Sequence, residues 1–130
     1  MGAFDMLSIA NTSLGAHQTW LDALSDNIAN VNTVTSTSQS AYQAKFAVFT
    51  PDANGGVDVA GFAQSSAEGI EVSSPDSPLA DADGMVREPD IDMSSQMSQL
   101  IMAQRGYQSS VQVTKSAQDT YDSALSIGAK

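Results

Sequence analysis

The sequence contains no cysteine. That removes disulfides, thiol nucleophiles, cysteine zinc sites and iron–sulfur clusters together. It leaves the compartment open, because an exported protein can simply avoid thiols. Histidine occurs once, at His17. With no second histidine, a serine nucleophile lacks an evident base. Basic residues are scarce: 5 Lys and Arg stand against 15 Asp and Glu, a net charge of -10. Such a chain repels phosphate backbones and anionic lipid, so no nucleic-acid partner is expected. Aromatic residues are only 6%, which suits helix packing better than an aromatic-rich β core. No run of about 18 apolar residues exists, so no lipid-spanning helix is expected. The first residues lack the basic and apolar regions of a cleaved secretory signal, and Met6 stands where myristoylation requires Ser or Thr. GxGxxG, P-loop, HExxH and CxxC patterns are all missing. An enzyme is not expected, and neither is a cofactor or a resident metal.

What remains is a chain of 130 residues, enough for one domain or for a small domain with an insertion. Charge divides it. Residues 52–92 hold ten acids and one base, Arg87, whereas residues 93–130 hold three bases against Asp119 and Asp122. Residues 1–44 contain no base and only Asp5, Asp22 and Asp26. Nearly uncharged ends flank an acidic middle, so ends and middle should do different work.

Both ends read as amphipathic helices. Leu7, Ala10, Leu14, His17, Leu21, Leu24, Ile28 and Val31 alternate steps of three and four, a heptad seam. The C-terminal seam is expected at Met93, Met97, Leu100, Gln104, Tyr107, Val111, Thr114, Gln118, Tyr121 and Leu125. Asp92, Ser94 and Ser95 offer N-caps for it, and Gly128 a C-terminal stop. The outer faces carry Ser, Thr, Asn and Gln rather than the Glu–Lys pairs of solvated helices. Two long helices in so small a chain would leave about half of each helix in water, so faces this poor in charge point to assembly through the helices.

The middle reads differently. Thr33–Ser40 is a Ser/Thr-rich linker. Ala41–Phe49 alternates as a strand, and residues 51–56 are turn chemistry. Val57–Gln64, Ile70–Ser73 and Met85–Arg87 read as further short strands. The expected fold is mainly α with a small β insert. Its N- and C-terminal helices pair as an antiparallel coiled coil around a central β-hairpin-like region. The parts are an N-terminal helix of a discontinuous core (1–33), an extended linker with the β insert (34–90) and the C-terminal helix of that core (91–130). Asp81-Ala82-Asp83-Gly84 invites comparison with a calcium loop, but Leu79 occupies the first ligand position and Asp90 the twelfth. An acidic calcium-binding interaction module is the alternative from a different class.

One segment narrows the reading. Ser25-Asp26-Asn27-Ile28-Ala29-Asn30-Val31-Asn32-Thr33 resembles the N-terminal motif of the bacterial flagellar rod and hook protein family. Within that motif, which also includes Ile28, Ala29 and Thr33, Asn27, Asn30 and Asn32 are expected to set the turn from the helix end into the loop. Tyr42–Lys45, Gly56–Gly61, Pro78–Val86 with Pro89–Asp92, and Met97 with Met102–Gln108 are similar to the later blocks of that family's proximal-rod type. Gly106 departs from it, standing where many relatives have Ala. The resemblance implies a structural subunit of the flagellar basal-body rod, in the periplasm. It would be exported by the flagellar type III apparatus without a cleaved signal. With copies of itself and other rod proteins it would build a helical tube that transmits torque and forms the export channel. Another rod or hook-like axial protein is the sibling alternative. Assembly contacts, within or between subunits, are expected at Leu7, Leu14, Leu21, Leu24, Ile28, Leu100, Tyr107, Val111 and Tyr121.

Overall fold

A computed structural model describes residues 2–128. The order is α1 (Ala3–Ala29), β1 (Lys45–Pro51), β2 (Val57–Gln64), β3 (Ile70–Ser73), β4 (Met85–Glu88) and α2 (Met93–Gly128). The fold is mainly helical with a small β insert of two two-stranded sheets, β1 with β2 and β3 with β4. Capping fixes where the helices begin. The Gly2 amide donates to Asp5 Oδ2 (2.8 Å), and the Ser94 amide donates to Asp92 Oδ1 (3.0 Å), so Asp92 is the N-cap of α2. The stop expected at Gly128 falls at the edge of the description, because residues 129 and 130 lie outside it.

The chain forms two compact units, and both helices contribute to both. The first contains Met1–Leu21, Ala47–Gly61 and Ile101–Lys130. Here the early part of α1 runs antiparallel to the late part of α2. The Phe4 ring meets Tyr121 edge-on at 4.9 Å, Ser13 Oγ bonds Ser110 Oγ at 2.9 Å, and the His17 ring lies against Gly106. The buried residues are small: Ala10, Ala16, Ala103, Ser110 and Ala117. Short side chains let two helix backbones approach closely. The tip of the β1–β2 hairpin rests on α1. Gly56 (φ +100°) fits against Thr12 where a Cβ would collide, and the Val57 amide donates to Thr12 Oγ1 (3.2 Å). Trp20 meets Phe49 edge-on at 6.3 Å.

The second unit contains Asp22–Phe46 and Phe62–Leu100. β3 and β4 pair antiparallel, with Val72 opposite Val86. An antiparallel bridge between Thr35 and Arg87 extends the pairing into the linker. Leu24, Asn27, Ala41, Ala44, Val86 and Gln96 are buried. Gly69 (φ +59°) sits against the Glu88 carbonyl and the Ala41 methyl, so a side chain there would collide as well as strain the backbone.

The expected strands at Val57–Gln64 and Ile70–Ser73 are present at those residues. β1 begins later than its alternation suggested, at Lys45 rather than Ala41. The reason is local: the Ala41 amide donates to the Ala67 carbonyl (2.9 Å) and the Ala44 amide to Ser65 Oγ (2.8 Å), which are loop bonds. The seam of α2 also needs correction. Leu100, Tyr107, Thr114 and Tyr121 are half-buried, but Met93, Met97, Gln104, Val111, Gln118 and Leu125 are exposed. The buried row lies one residue earlier than the second expected row. It comprises Gln96 (3% exposed), Ala103 (0%), Ser110 (6%) and Ala117 (3%), an unbroken step of seven.

Candidate functional site

The most heavily bonded side chain of the second unit belongs to Asn27, which is fully buried. Its amide nitrogen donates to the Lys45 carbonyl (2.9 Å) and to Gln96 Oε1 (3.0 Å). Its amide oxygen accepts from the Lys45 amide (2.8 Å) and from the Tyr42 hydroxyl (3.3 Å). Asn27 therefore holds both backbone groups of the first residue of β1 and one side chain of α2. An amide suits this task because it offers two donors and an acceptor with two lone pairs. Burial, the largest influence, raises the Tyr42 pKa above its usual value. Beside it, Lys45 Nζ pairs with Asp26 at 3.0 Å, and that hydrogen bond raises the lysine pKa.

The other asparagines act differently. Asn30 donates from its amide to the Asp26 carbonyl (2.8 Å) and accepts from the Thr33 hydroxyl (3.1 Å). It shapes the turn that follows Ala29. Asn32 is exposed, as is Ala29, whereas Ile28 and Thr33 are half-buried.

Among the residues expected to make assembly contacts, Leu24 is fully buried. Leu7, Leu14, Leu21, Ile28, Leu100, Tyr107 and Tyr121 are half-buried, and Val111 is exposed. The sequence reading missed Ile101, Met102, Val113 and Ile127 on α2, all of them more than half exposed. The signal was available: these large apolar residues fall outside any single seven-residue row and have few charged neighbours. In the first unit, a groove of about 520 Å³ opens between the helices, lined by Met6, Ile9 and Val113 among others. Its polar floor is Ser13, His17 and Ser110.

That floor resembles a serine–histidine pair without being able to act as one. His17 Nδ1 lies 2.8 Å from the Ser13 carbonyl, which only accepts, so Nδ1 carries the proton. It therefore cannot take one from Ser110 Oγ, 3.3 Å away. The acidic turn is likewise committed. Asp81 accepts from the amides of Asp83 (3.0 Å) and Met85 (2.9 Å) through Oδ1, and from the Thr37 hydroxyl (2.9 Å) through Oδ2. These bonds, that of Met85 first, hold its pKa below the usual value. No group of three or more His, Asp or Glu placed to hold a metal exists among the described residues. No helix among them is long and apolar enough to cross a membrane.

Comparison with known proteins places this geometry in context. Residues 82–127 match the family model described as the flagellar basal body rod FlgEFG protein C-terminal. The chain is 33% identical over 133 residues to the flagellar basal-body rod protein FlgC of Salmonella typhimurium, spanning 98% of this chain and 99% of that protein. It is 34% identical, with the same coverage, to FlgC of Yersinia enterocolitica. It is 25% identical over 149 residues to FlgC of Bacillus subtilis.

Proposed function

This chain belongs to the family of FlgC flagellar basal-body rod proteins, and on that footing we propose that it is a rod subunit built into a helical tube through its terminal helices. The reading is of a structural protein. Its neighbours are copies of itself and other rod proteins, the tube carries torque, and its bore is the export channel. The flagellar type III apparatus delivers the chain. Leu24 belongs to contacts inside the subunit, because it is covered already. Val111, left exposed, is available to a neighbour, together with Ile101, Met102 and Val113.

The observation that carries this reading is the outer face of α2. Over 36 residues it carries only four charges, Arg105, Lys115, Asp119 and Asp122, and sets the exposed apolar side chains Ile101, Met102 and Val111 among serines and glutamines. Covering one such side chain contributes about 1.5–3 kcal/mol. Repeated along the helix and around a tube, that suffices for ordered assembly. The test uses Ile101→Lys and Val113→Glu. Ile101→Lys changes an exposed position, so the isolated protein should keep its stability within about 0.5 kcal/mol; Val113 also borders the groove beside Met6 and Ile9, so retained folding of Val113→Glu is checked by circular dichroism. Incorporation into purified basal bodies, read by immunoblot, should fall roughly tenfold or more, the size of a lost apolar contact of about 1.5 kcal/mol or greater. Undiminished incorporation of both variants would refute this use of the face.

A further inference from the structure

We infer that two polar pairs, Ser13 with Ser110 and Asn27 with Gln96, form a register code that admits one alignment of α1 against α2. Each pair lies within its own unit. Ser13 Oγ meets Ser110 Oγ at 2.9 Å in the first, and Asn27 Nδ2 donates to Gln96 Oε1 at 3.0 Å in the second. The spacing is the same on both helices, fourteen residues or two heptads. The buried row of α2 therefore alternates polar and methyl: Gln96, Ala103, Ser110, Ala117. Counting along α1 from Asn27 and Ser13, the residues level with Ala103 and Ala117 are Trp20 and Met6. The native alignment matches polar with polar and small with large.

A helix pair with an apolar seven-residue repeat is prone to slide by one heptad, because every apolar contact is replaced by another. This sequence penalises both slides. One brings Asn27 level with Ala103 and Ser13 level with Ala117. The other brings Gln96 level with Trp20 and Ser110 level with Met6. Each strands the Asn27 or the Gln96 amide against an apolar group, where no partner replaces the lost bond, whereas Ser110 keeps its bond to the Gly106 carbonyl of its own helix (3.0 Å) and loses only Ser13. Single buried polar residues are known to set register in coiled coils at some expense in stability. Here the code is written twice, and His17 packed on the bare backbone of Gly106 adds a shape match beside the serine pair.

The experiment places spin labels at Ser8 and Lys115, both exposed, and measures their separation by pulsed dipolar spectroscopy on the full chain. The wild-type sequence should give one narrow distance. A variant that moves the code by one heptad, Q96A/A103Q/S110A/A117S, keeps the composition of the row but offers Asn27 and Ser13 their partners seven residues later. Its label distance should change by several ångströms, since seven helical residues correspond to an axial displacement of about 10 Å. Gln96→Ala alone should add a minor second distance to the native one. Retention of the single native distance by both variants would overturn the inference, and would assign the register to the short β4–α2 connection instead. A moved-code variant showing neither distance would overturn it as well.

Discussion

Asn27 shows how one buried side chain can join three pieces of chain. Truncation to Ala would orphan the Lys45 amide and carbonyl, Gln96 Oε1 and the Tyr42 hydroxyl together. Unsatisfied buried polar groups cost about 1–3 kcal/mol each, so Asn27→Ala should lose about 3 kcal/mol or more in urea unfolding, whereas the exposed Asn32→Ala should lose less than about 0.5 kcal/mol. Gly106 poses the opposite problem. Alanine is favoured over glycine inside a helix by about 1 kcal/mol, yet its Cβ would strike the His17 ring. Gly106→Ala should therefore be neutral or destabilising alone and become stabilising by about 1 kcal/mol in a His17→Ala background. Asp81 makes a prediction about pH. Its folded pKa is depressed below the ordinary 3.8, so the stability it lends is present above that value and fades as pH falls through the lower folded value. Asp81→Asn should flatten the acid limb of the stability curve in that window alone, as read by thermal melting at stepped pH.

At the scale of elements, the clearest lesson lies in α2. Period and length were legible: a helix from Met93 onward with a seven-residue repeat. Four of the ten expected seam positions were legible too, at Leu100, Tyr107, Thr114 and Tyr121. The row Met97, Gln104, Val111 and Gln118 was placed one residue late, because Met97 and Val111 are more hydrophobic than the buried Gln96 and Ser110 and the rest follow from their heptad step. Close helix approach favours the small residues, and hydrogen bonding admits the polar ones. The same rule hid the role of Asn27. A helix-end motif rich in asparagine suggests turn chemistry, and Asn30 performs it, but nothing local foretells that Asn27 turns inward to a strand eighteen residues away. The β insert was readable where turns bracket alternation, at β2 and β3, and less so at β1, where side chains from the returning loop capture the backbone first. The hairpin tip gives an element-scale prediction. Gly56→Ala would meet Thr12 at a positive φ, so hydrogen exchange should quicken at the Val57 amide, which donates to Thr12, while amides of β3 and β4 keep their protection.

For the whole molecule, large apolar side chains are exposed both in the acidic middle, at Phe62, Ile70 and Leu79, and along α2, and the two regions differ in charge. The acids gather in residues 52–92, and the large exposed apolar side chains of α2 stand in a segment with only four charges, Arg105, Lys115, Asp119 and Asp122. Exposed apolar side chains gathered on one element mark it as a candidate contact surface. On the proposal above, neighbouring rod subunits cover these side chains. Site-specific photo-crosslinking in intact basal bodies is the most direct test of the claim that the outer face of α2 is covered there. A photoreactive residue in place of Ile101 or Val113 should give products with other rod subunits, while one in place of Asp76 in the acidic middle should give few or none. Strong products from position 76 with none from positions 101 and 113 would contradict it.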